Sequence, residues 1–455
     1  MDRTIAAIST PSGTGGIAVI RISGSKAFEI ADRVFFGKNK LCDALSHTVH
    51  YGFIKDKNGR EIDEVLATVM RSPRTFTKED VVEISTHGGM SASQEVLAAI
   101  ISAGADIAEP GEFTKRAFLN GRIDLSQAEA VIDIINSTNT LAKSNALSQL
   151  QGKLSKEIKN IRQSLVQLAS QMQVIIDYPD EDLEDVTTDD IANVCAKCLD
   201  DTVSLLATAD SGKIIRDGIR TAIAGKPNVG KSSLLNALSR SNRAIVTDIA
   251  GTTRDVIEEY INLDGVPLVL ADTAGIHETT DTVEKIGVEK SREAIENADL
   301  VIVILDGSRP LDEDDISVIR ETEGKNRVIL INKTDLSRKA DSIGTYIKDE
   351  DEIIEISALT GNGIDKLSDY IKKIYRLGEN GAASGSVITN IRHKKALENA
   401  SEALKNAVNS IHMGMPADIA SIDINAAIDS LGEITGETVS DSIVESIFHN
   451  FCVGK

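Results

Sequence analysis

At 455 residues and a formal charge of −21, the chain is too long for one hydrophobic core, and about three domains are expected. The acidic balance argues against a protein that grips nucleic acid by bulk electrostatics, so an RNA contact needs a local basic patch or a partner's surface. No apolar run approaches the ~20 residues that span a bilayer, and no signal-peptide segment is seen at the N-terminus. A cytoplasmic protein without a membrane partner is therefore predicted.

Short apolar strands alternate with turns over residues 1–120. Strands are predicted at residues 4–9, 16–22, 65–70 and 81–85, and a helix is predicted from Ser91 to about Ala103. This pattern predicts an α+β domain. The glycine-rich turn at residues 11–15 is by itself a weak signal, more often structural than ligand-binding.

Long helices are predicted over residues 121–217. One apolar stripe repeats at spacings of four and three: Leu154, Ile158, Ile161, Leu165, Leu168, Met172 and Ile175. The acidic run at residues 180–185 is predicted to be a solvated turn rather than a metal site. Cys195 and Cys198 lie in a helical pattern with no second pair to complete a zinc site, so an ordinary helix face is predicted. With Cys42 and Cys452, the cysteines are too scattered for a disulfide framework.

Residues 225–232 read Gly-Lys-Pro-Asn-Val-Gly-Lys-Ser, after an apolar strand and before a helical pattern. A glycine-rich turn between a strand and a helix is the setting of a phosphate-binding P-loop. Its N–H groups face phosphate oxygens, Lys231 brings positive charge to the β- and γ-phosphates, and Ser232 offers a hydroxyl to Mg²⁺. The spacing predicts binding of a nucleoside triphosphate.

Further motifs follow in the order expected of a GTPase. Residues 251–254, Gly-Thr-Thr-Arg, form a switch that places a threonine hydroxyl on the metal, and Asp272 of Asp-Thr-Ala-Gly faces that metal through water. Asp335 of Asn-Lys-Thr-Asp can accept guanine N1–H and N2–H₂, which adenine cannot match. Ser357-Ala358-Leu359 supplies the last guanine contact. The set resembles the translation-factor-like GTPases and predicts GTP as the nucleotide.

Position 276 departs from Ras-like proteins, in which a glutamine following Asp-Xaa-Ala-Gly orients the attacking water. The chain has Ile276, which cannot hold a water molecule, and no substitute arginine is evident. The catalytic group is therefore predicted elsewhere, at Glu284 or, as a weaker candidate, His277.

The GTPase module is predicted to span residues 218–378 and to leave through a Gly/Ala/Ser-rich exit. Helical pattern resumes over residues 379–455, with a second apolar stripe at Leu397, Leu404, Val408 and Ile411. Because the module lies between two helical stretches, both are predicted to build one bundle into which it is inserted. The predicted fold class is multidomain α/β, with an N-terminal α+β domain, a helical bundle from two chain segments and an inserted Ras-like P-loop domain.

Motifs along nearly the whole chain resemble the MnmE (TrmE) family of tRNA-modification GTPases. They lie at residues 11–16, 20–24, 76–83, 87–89, 110–120 and 451–455. The resemblance implies an N-terminal folate-binding domain that forms a homodimer, and a heterotetramer with the flavoprotein MnmG, which carries FAD. It also implies that an aminomethyl or carboxymethylaminomethyl group is installed at C5 of the wobble uridine of certain tRNAs. The one-carbon donor would be 5-formyl- or 5,10-methylenetetrahydrofolate.

The resemblance also implies roles for individual residues. Folate binding maps onto Arg21, Glu83, Arg122 and Lys455, and Cys452 is a redox or catalytic candidate. Potassium maps onto Asn228, Thr247, Ile249 and Thr252, magnesium onto Ser232 and Thr253, and catalysis onto Glu284. The complete predicted GTP site comprises Asn228, Val229, Gly230, Lys231, Ser232, Ser233, Thr247, Asp248, Ile249, Ala250, Gly251, Thr252, Thr253, Asp272, Thr273, Ala274, Gly275, Asn332, Lys333, Asp335, Ser357 and Ala358. Ser12 and Thr14 stand where relatives often have proline and arginine, which leaves details of that turn open.

Two alternatives are weighed against this interpretation. A ribosome-assembly GTPase of the Era or EngA kind shares the hydrophobic residue after Gly275 but appends a basic RNA-binding domain, whereas the flanks here are acidic. A scaffolding switch, in which GTP turnover only times assembly, is harder to exclude because hydrolysis and modification are separate acts. For residues 451–455 a frayed tail is the ordinary expectation, but we predict that this tail docks and completes the folate site.

Overall fold

The computed structural model describes residues 3–11, 13–137, 139–177, 187–241, 259–270, 292–337, 346–348, 351–375 and 386–454. The chain forms two compact units. One comprises residues 1–135, 149–186 and 416–455, and the other comprises residues 136–148 and 187–415. Each unit combines a β-sheet with helices from both of the predicted helical stretches.

The strands and helices have the following bounds. The strands are β1 (Ile5–Ile8), β2 (Ile17–Ser23), β3 (Phe35–Gly37), β4 (Thr48–Lys55), β5 (Glu61–Met70), β6 (Val81–His87), β7 (Asp106–Ile107), β8 (Ile219–Ala224), β9 (Glu259–Leu263), β10 (Val266–Leu270), β11 (Leu300–Asp306), β12 (Arg327–Asn332) and β13 (Glu352–Glu355). The helices are α1 (Ala27–Val34), α2 (Met90–Ser102), α3 (Glu112–Leu119), α4 (Leu125–Asn136), α5 (Thr140–Leu150), α6 (Lys153–Asp177), α7 (Thr188–Leu206), α8 (Ala209–Asp217), α9 (Lys231–Ser241), α10 (Glu313–Glu321), α11 (Ile364–Ile374), α12 (Ile391–His412), α13 (Ala417–Thr435) and α14 (Asp441–His449).

The first unit is built on a seven-stranded sheet in the order β3-β4-β5-β6-β2-β1-β7. Its strands pair antiparallel except for β1 with β7. Apolar residues of α1 recur at Ala27, Ile30, Ala31 and Val34, so one face of this helix packs on the sheet beside α2. The sequence patterns did not reveal β3 and β4, because several apolar side chains of these strands are exposed and blur the alternation.

Helices of the first unit join distant parts of the chain. Helix α6 packs against α13, and the stripe from Leu154 to Met172 is buried along this contact; the side chain of Ile175 lies outside the described residues. Arg162 of α6 donates to the carbonyl oxygen of Ile428 at 3.3 Å and pairs with Glu437 at 2.5 Å. The first and second helical stretches therefore pack against each other in this unit.

The second unit contains a six-stranded sheet in the order β13-β12-β11-β8-β10-β9, which is parallel except for β9. Strands β10, β11 and β12 are buried along their whole length, as expected when helices cover both faces of a parallel sheet. Helices α9 and α11 contribute to one core, and α10 contributes to the other. This arrangement is the doubly wound α/β fold of a Ras-like domain.

Helices α7 and α12 pack together in the second unit, so they too join the two helical stretches. Cys195 and Cys198 are buried on α7, and burial raises the pKa of their thiols to about 12 and about 11. In the described part of the chain no group of three or more His, Cys, Asp or Glu side chains is arranged to hold a metal. None of the helices in those same residues combines the length and apolar character needed to cross a bilayer.

Candidate functional site

The predicted P-loop lies where β8 ends and α9 begins. A Cβ at Gly225 would lie 2.6 Å from the carbonyl oxygen of Ile304, so close packing demands glycine. Asn228 and Gly230 have φ angles of 66° and 106°, in the left-handed region that lets successive N–H groups turn to one side of a loop. Helix α9 starts at Lys231 and adds the positive end of its dipole. The backbone therefore forms an anion cradle.

Lys231 brings a cation into this cradle. Its Nζ donates a hydrogen bond to the carbonyl oxygen of Gly225 at 2.5 Å, and burial lowers the pKa of the ammonium group. A partly buried ammonium on a neutral carbonyl gains further stabilisation from an anion, which a phosphate would supply. Ser232 and Ser233 follow in the first turn of α9, and both are exposed, which leaves the Ser232 hydroxyl within reach of a metal ion.

Asn332 joins the P-loop to the loops predicted to bind guanine. This residue ends β12 and is only 2% exposed. Its Nδ2 donates to the carbonyl oxygen of Val229 at 2.8 Å, and its Oδ1 accepts from the backbone N–H of Ala358 at 2.9 Å. A single buried amide therefore holds the P-loop and both guanine loops in one arrangement.

Asp335 is oriented by a neighbouring hydroxyl. Ser357 Oγ donates to Asp335 Oδ1 at 2.7 Å, while Asp335 itself is exposed. A carboxylate held in one orientation can accept a pair of N–H donors, which the edge of guanine presents. The structure thus gathers Asn332, Asp335, Ser357 and Ala358 around one position.

Lys333 connects the same loops through charge. Its Nζ donates to the carbonyl oxygen of Asn228 at 3.0 Å and to Asp306 Oδ2 at 2.7 Å. Burial alone would raise the pKa of Asp306, but hydrogen bonds from Lys333 and Ser308 hold it below its usual range. The P-loop is therefore tied to the carboxyl ends of β11 and β12.

Lys226, within the P-loop, is a site residue that sequence reasoning missed. Its Nζ pairs with Asp312 and, at 3.0 Å, with Asp315 at the start of α10. Burial lowers the pKa of Lys226, but the hydrogen bonds to these two carboxylates outweigh it and raise the pKa overall. The available signal was the capping-box spacing of Asp312 and Asp315, which marks a helix start rich in negative charge.

Several predicted site residues lie outside the described residues. They are the first switch, Thr247, Asp248, Ile249, Ala250, Gly251, Thr252 and Thr253; the Asp272, Thr273, Ala274 and Gly275 motif; Ile276, His277 and Glu284; and Lys455.

A second group of predicted residues lies in the first unit. Arg21 of β2 and Glu83 of β6 are directly opposite in the antiparallel register. Arg21 Nε and Nη2 both lie 2.8 Å from Glu83 Oε1, and the side chains are 16% and 27% exposed. This cross-strand pair presents a guanidinium and a carboxylate at one place on the sheet.

Arg122 follows α3 and approaches the same place. Its Nη1 donates to the carbonyl oxygen of Phe76 at 2.9 Å, and its Cζ lies 4.7 Å from the centre of the Phe76 ring. The Cζ of Arg21 lies 5.7 Å from that ring. Burial lowers the pKa of Arg122. Two guanidiniums therefore flank one aromatic ring beside Glu83, a donor set suited to a carboxylate-bearing ligand.

The C-terminal tail lies against the first unit. Ser9 Oγ donates to the carbonyl oxygen of Gly454 at 3.0 Å, and the backbone N–H of Gly111 donates to the carbonyl oxygen of Cys452 at 3.3 Å. Phe451 is buried, with its ring centre 5.1 Å from that of Phe448. Residues 451–454 are thus docked rather than frayed, and the Cys452 side chain is exposed.

Comparison with known proteins extends over the whole chain. Residues 4–122 match the family model of the GTP-binding protein TrmE N-terminus, and residues 125–452 match that of the MnmE helical domain. The chain is 50% identical over 457 residues to the tRNA modification GTPase MnmE of Acetivibrio thermocellus, covering 100% of this chain and 99% of that protein. It is 49% identical to the protein of the same name from Listeria innocua, covering 99% of each.

A solved structure is similar over part of the chain. A variant of Aquifex aeolicus Era bound to GDP.AlF4- is 28% identical, over 40% of this chain and 65% of that chain. The TM-score is 0.27, which is too low to support a conclusion about function.

Proposed function

Since the chain belongs to the MnmE family of tRNA modification GTPases, we propose that it acts with the flavoprotein MnmG on certain tRNAs. The complex installs an aminomethyl or carboxymethylaminomethyl group at C5 of the wobble uridine, position 34. The carbon unit comes from 5-formyl- or 5,10-methylenetetrahydrofolate. The observation that supports the proposal is the 50% identity, over 100% of this chain, to a protein named tRNA modification GTPase MnmE.

GTP binding is supported by the fit of the P-loop to a phosphate. A Cβ at Gly230 would lie 2.2 Å from Asn332 Nδ2, so any side chain at this position would clash with the amide that joins the P-loop to the guanine loops. Lys231 neutralises charge on the β- and γ-phosphates, and the exposed Asp335 accepts hydrogen bonds from guanine. Ser232, with Thr253 of the first switch, holds Mg²⁺, which neutralises charge developing on the phosphates.

Hydrolysis needs a water-positioning group, and Ile276 cannot provide one. We assign this role to Glu284, which acts on the attacking water through a second water. Potassium takes the place of an arginine finger, held by Asn228, Thr247, Ile249 and Thr252. Asn228 is exposed in the P-loop, so its side-chain carbonyl is accessible to a cation. A potassium ion held by these residues would favour pairing of two G domains across the homodimer and so would stimulate hydrolysis.

The folate is proposed to bind at the first unit. Arg21, Arg122 and Lys455 pair with the glutamate carboxylates of tetrahydrofolate, and Glu83 accepts the paired N–H donors of the pterin. The two guanidiniums beside one carboxylate fit such a ligand by their chemistry. The docked tail brings Cys452 to the same unit, where it is a candidate for redox or covalent chemistry.

The proposed division of the chain follows these roles. Residues 1–120 bind folate and dimerise, residues 121–217 and 379–455 form the helical domain, and residues 218–378 form the G domain. Two copies associate with MnmG, which carries FAD, in a heterotetramer in the cytoplasm. Because the net charge of the chain is −21, we expect tRNA to bind at a local basic patch or on the surface of the partner.

Reconstitution tests the proposal. The chain is mixed with MnmG, tRNA, 5,10-methylenetetrahydrofolate, GTP and an amine donor, either ammonium or glycine, and the nucleosides are analysed by mass spectrometry. We expect a new C5-substituted uridine that requires every component, and faster GTP turnover in K⁺ than in Na⁺ at equal ionic strength. The Glu284→Gln variant should bind GTP normally while kcat falls by about 10²-fold or more. Normal GTP turnover without any modified nucleoside would favour a GTP-timed scaffolding switch instead.

A further inference from the structure

Phe76 lies between the two arginines of the proposed folate site, although nothing in the sequence patterns assigns it a role there. The Cζ atoms of Arg21 and Arg122 lie 5.7 Å and 4.7 Å from its ring centre. Arg21 reaches the ring from strand β2, and Arg122 reaches it from the segment after α3. One aromatic side chain therefore contacts two arginines that are about a hundred residues apart in the chain.

The segment that carries Phe76 is fastened on both sides of the ring. Thr77 Oγ1 lies 2.7 Å from Ser23 Oγ, and Ser23 Oγ donates to Glu79 Oε2 at 2.8 Å. Thr75 Oγ1 donates to the carbonyl oxygen of Glu79 at 2.7 Å. The backbone around the ring is therefore tied to β2, the strand that carries Arg21.

A buried ion network holds Glu79 in turn. Arg116 of α3 is only 2% exposed, and its Nη1 lies 3.1 Å from each carboxylate oxygen of Glu79. Its Nη2 donates to Glu112 Oε1 at 2.8 Å. Because the same helix leads directly into Arg122, this network fixes the ring and the second arginine together.

We propose that Phe76 is a positioning residue, whose ring holds the Arg21 and Arg122 guanidiniums ready for one anionic ligand. The proposal rests on the proposed folate site. Two like charges repel when they converge, and the negative face of an aromatic ring offsets part of that repulsion. The ring restricts the rotamers of both arginine side chains before the ligand binds, so less conformational entropy is lost on binding. This preorganisation strengthens affinity for the carboxylates.

An alternative role for Phe76 is simple packing. Its half-buried ring does touch a small apolar cluster that includes Phe113, Ile5 and Ala108. Leucine would fill much of that volume, but it has no π-system to attract a guanidinium. Replacing Phe76 by leucine therefore separates the two roles, and replacing it by tyrosine restores the ring.

The test is calorimetric titration of the full-length protein with 5-formyltetrahydrofolate. Phe76→Leu should weaken binding by roughly five- to twenty-fold, the scale of two lost cation–π contacts, and Phe76→Tyr should stay within about twofold of wild type. The matched control is Phe28→Leu, which removes a similar pair in the same unit, since Arg71 Cζ lies 4.6 Å from the Phe28 ring. Phe28→Leu should leave folate affinity unchanged, and both leucine variants should melt at similar temperatures.

A double-mutant cycle shows whether the ring acts through the arginine. In an Arg122→Met background only the Arg21 contact remains, so Phe76→Leu should weaken the remaining affinity by about two- to fourfold. Full additivity, or wild-type affinity in the Phe76→Leu variant, overturns the positioning role. Failure of the wild-type protein to bind 5-formyltetrahydrofolate overturns the folate proposal itself and is distinguished by that first titration.

Discussion

The two candidate sites of this chain are built in different ways. In the G domain the ligand-facing groups come largely from loops at the carboxyl ends of the parallel strands β8 and β12 and from the loop after β13, and the side-chain amide of Asn332 joins these loops. In the first unit the candidate groups are charged side chains from β2, β6 and the segment after α3. The docked tail contacts Ser9 and Gly111 of the same unit.

This difference affects what each site depends on. Carboxyl ends of parallel strands meet at one edge of a sheet, so the fold itself collects the nucleotide loops. The first unit has a mostly antiparallel sheet, which offers no such common edge, and the charged side chains converge through ion pairs and an aromatic ring. We therefore expect the N-terminal site to be sensitive to buried charge, and the nucleotide site to be sensitive to the amide that joins its loops.

The largest expected effect comes from removing the buried cation of the first unit. Arg116→Met removes the buried cation between Glu79 and Glu112 and leaves Glu112 with only the exposed Arg3 at 3.8 Å, which should destabilise this unit by about 3–5 kcal/mol. The control is Arg60→Met, because Arg60 is 63% exposed and its ion pairs should contribute little to stability. Urea unfolding, read from hydrogen exchange of β2 and β6 peptides, measures both. Equal stability of the two variants would contradict the dependence on buried charge.

The next effect concerns the nucleotide site. Asn332→Ala leaves the carbonyl of Val229 and the N–H of Ala358 unpaired in a buried position, so GTP affinity should fall by about 100-fold. Asn262→Ala serves as the control, because Asn262 caps the β9–β10 turn through Gly265 and should change affinity by less than about twofold. Titration with a fluorescent GTP analogue gives both values. An Asn332→Ala affinity near that of wild type would show that the loops do not need this link.

A smaller effect is expected at the tail. Gly454 has a φ angle of 89°, and a Cβ there would lie 2.3 Å from the carbonyl oxygen of Ile8, so Gly454→Ala should undock the tail. Affinity for 5-formyltetrahydrofolate should weaken by about tenfold, while GTP hydrolysis continues. Gly59→Ala is the control, because Gly59 also has a positive φ angle, 83°, but nothing lies within 4 Å of the added Cβ. This variant should bind folate normally. Unchanged folate affinity in Gly454→Ala would remove the tail from the site.

The smallest effect is a pH dependence of the second unit. A hydrogen bond from Arg327 lowers the pKa of Asp351, with burial opposing it. A lowered folded-state pKa contributes stability that is present above the unfolded pKa, near 4, and is lost as the pH falls through the folded value. Compared with Asp351→Asn, wild type should lose stability more steeply as the pH falls below about 4. The free energy of unfolding of both proteins is measured in urea from pH 3 to 6, with hydrogen-exchange pulses at one fixed pH. Parallel plots of this free energy against pH for wild type and Asp351→Asn would disprove the prediction.

Most of the fold could be predicted from periodicity. The helix expected from Ser91 to about Ala103 lies at Met90–Ser102, and the stripe from Leu154 to Met172 is buried where it packs on α13. The multidomain α/β class is confirmed by the TrmE N-terminal and MnmE helical matches. Strands β3 and β4 were missed because part of their apolar surface is exposed, which removes the alternation that marks a half-buried strand.

The nucleotide chemistry could be predicted from consecutive residues, because a P-loop is a local turn whose geometry follows from a few residues between a strand and a helix. Three contacts became apparent in the folded structure alone. Lys226 forms ion pairs with Asp312 and Asp315, and the Phe76 ring contacts both Arg21 and Arg122. The carbonyl oxygen of Gly454 accepts a hydrogen bond from Ser9. These contacts join residues that are distant along the chain. These contacts form only after the sheets and helices have brought the segments together. Residue spacing and hydrophobic periodicity within one segment therefore cannot predict them.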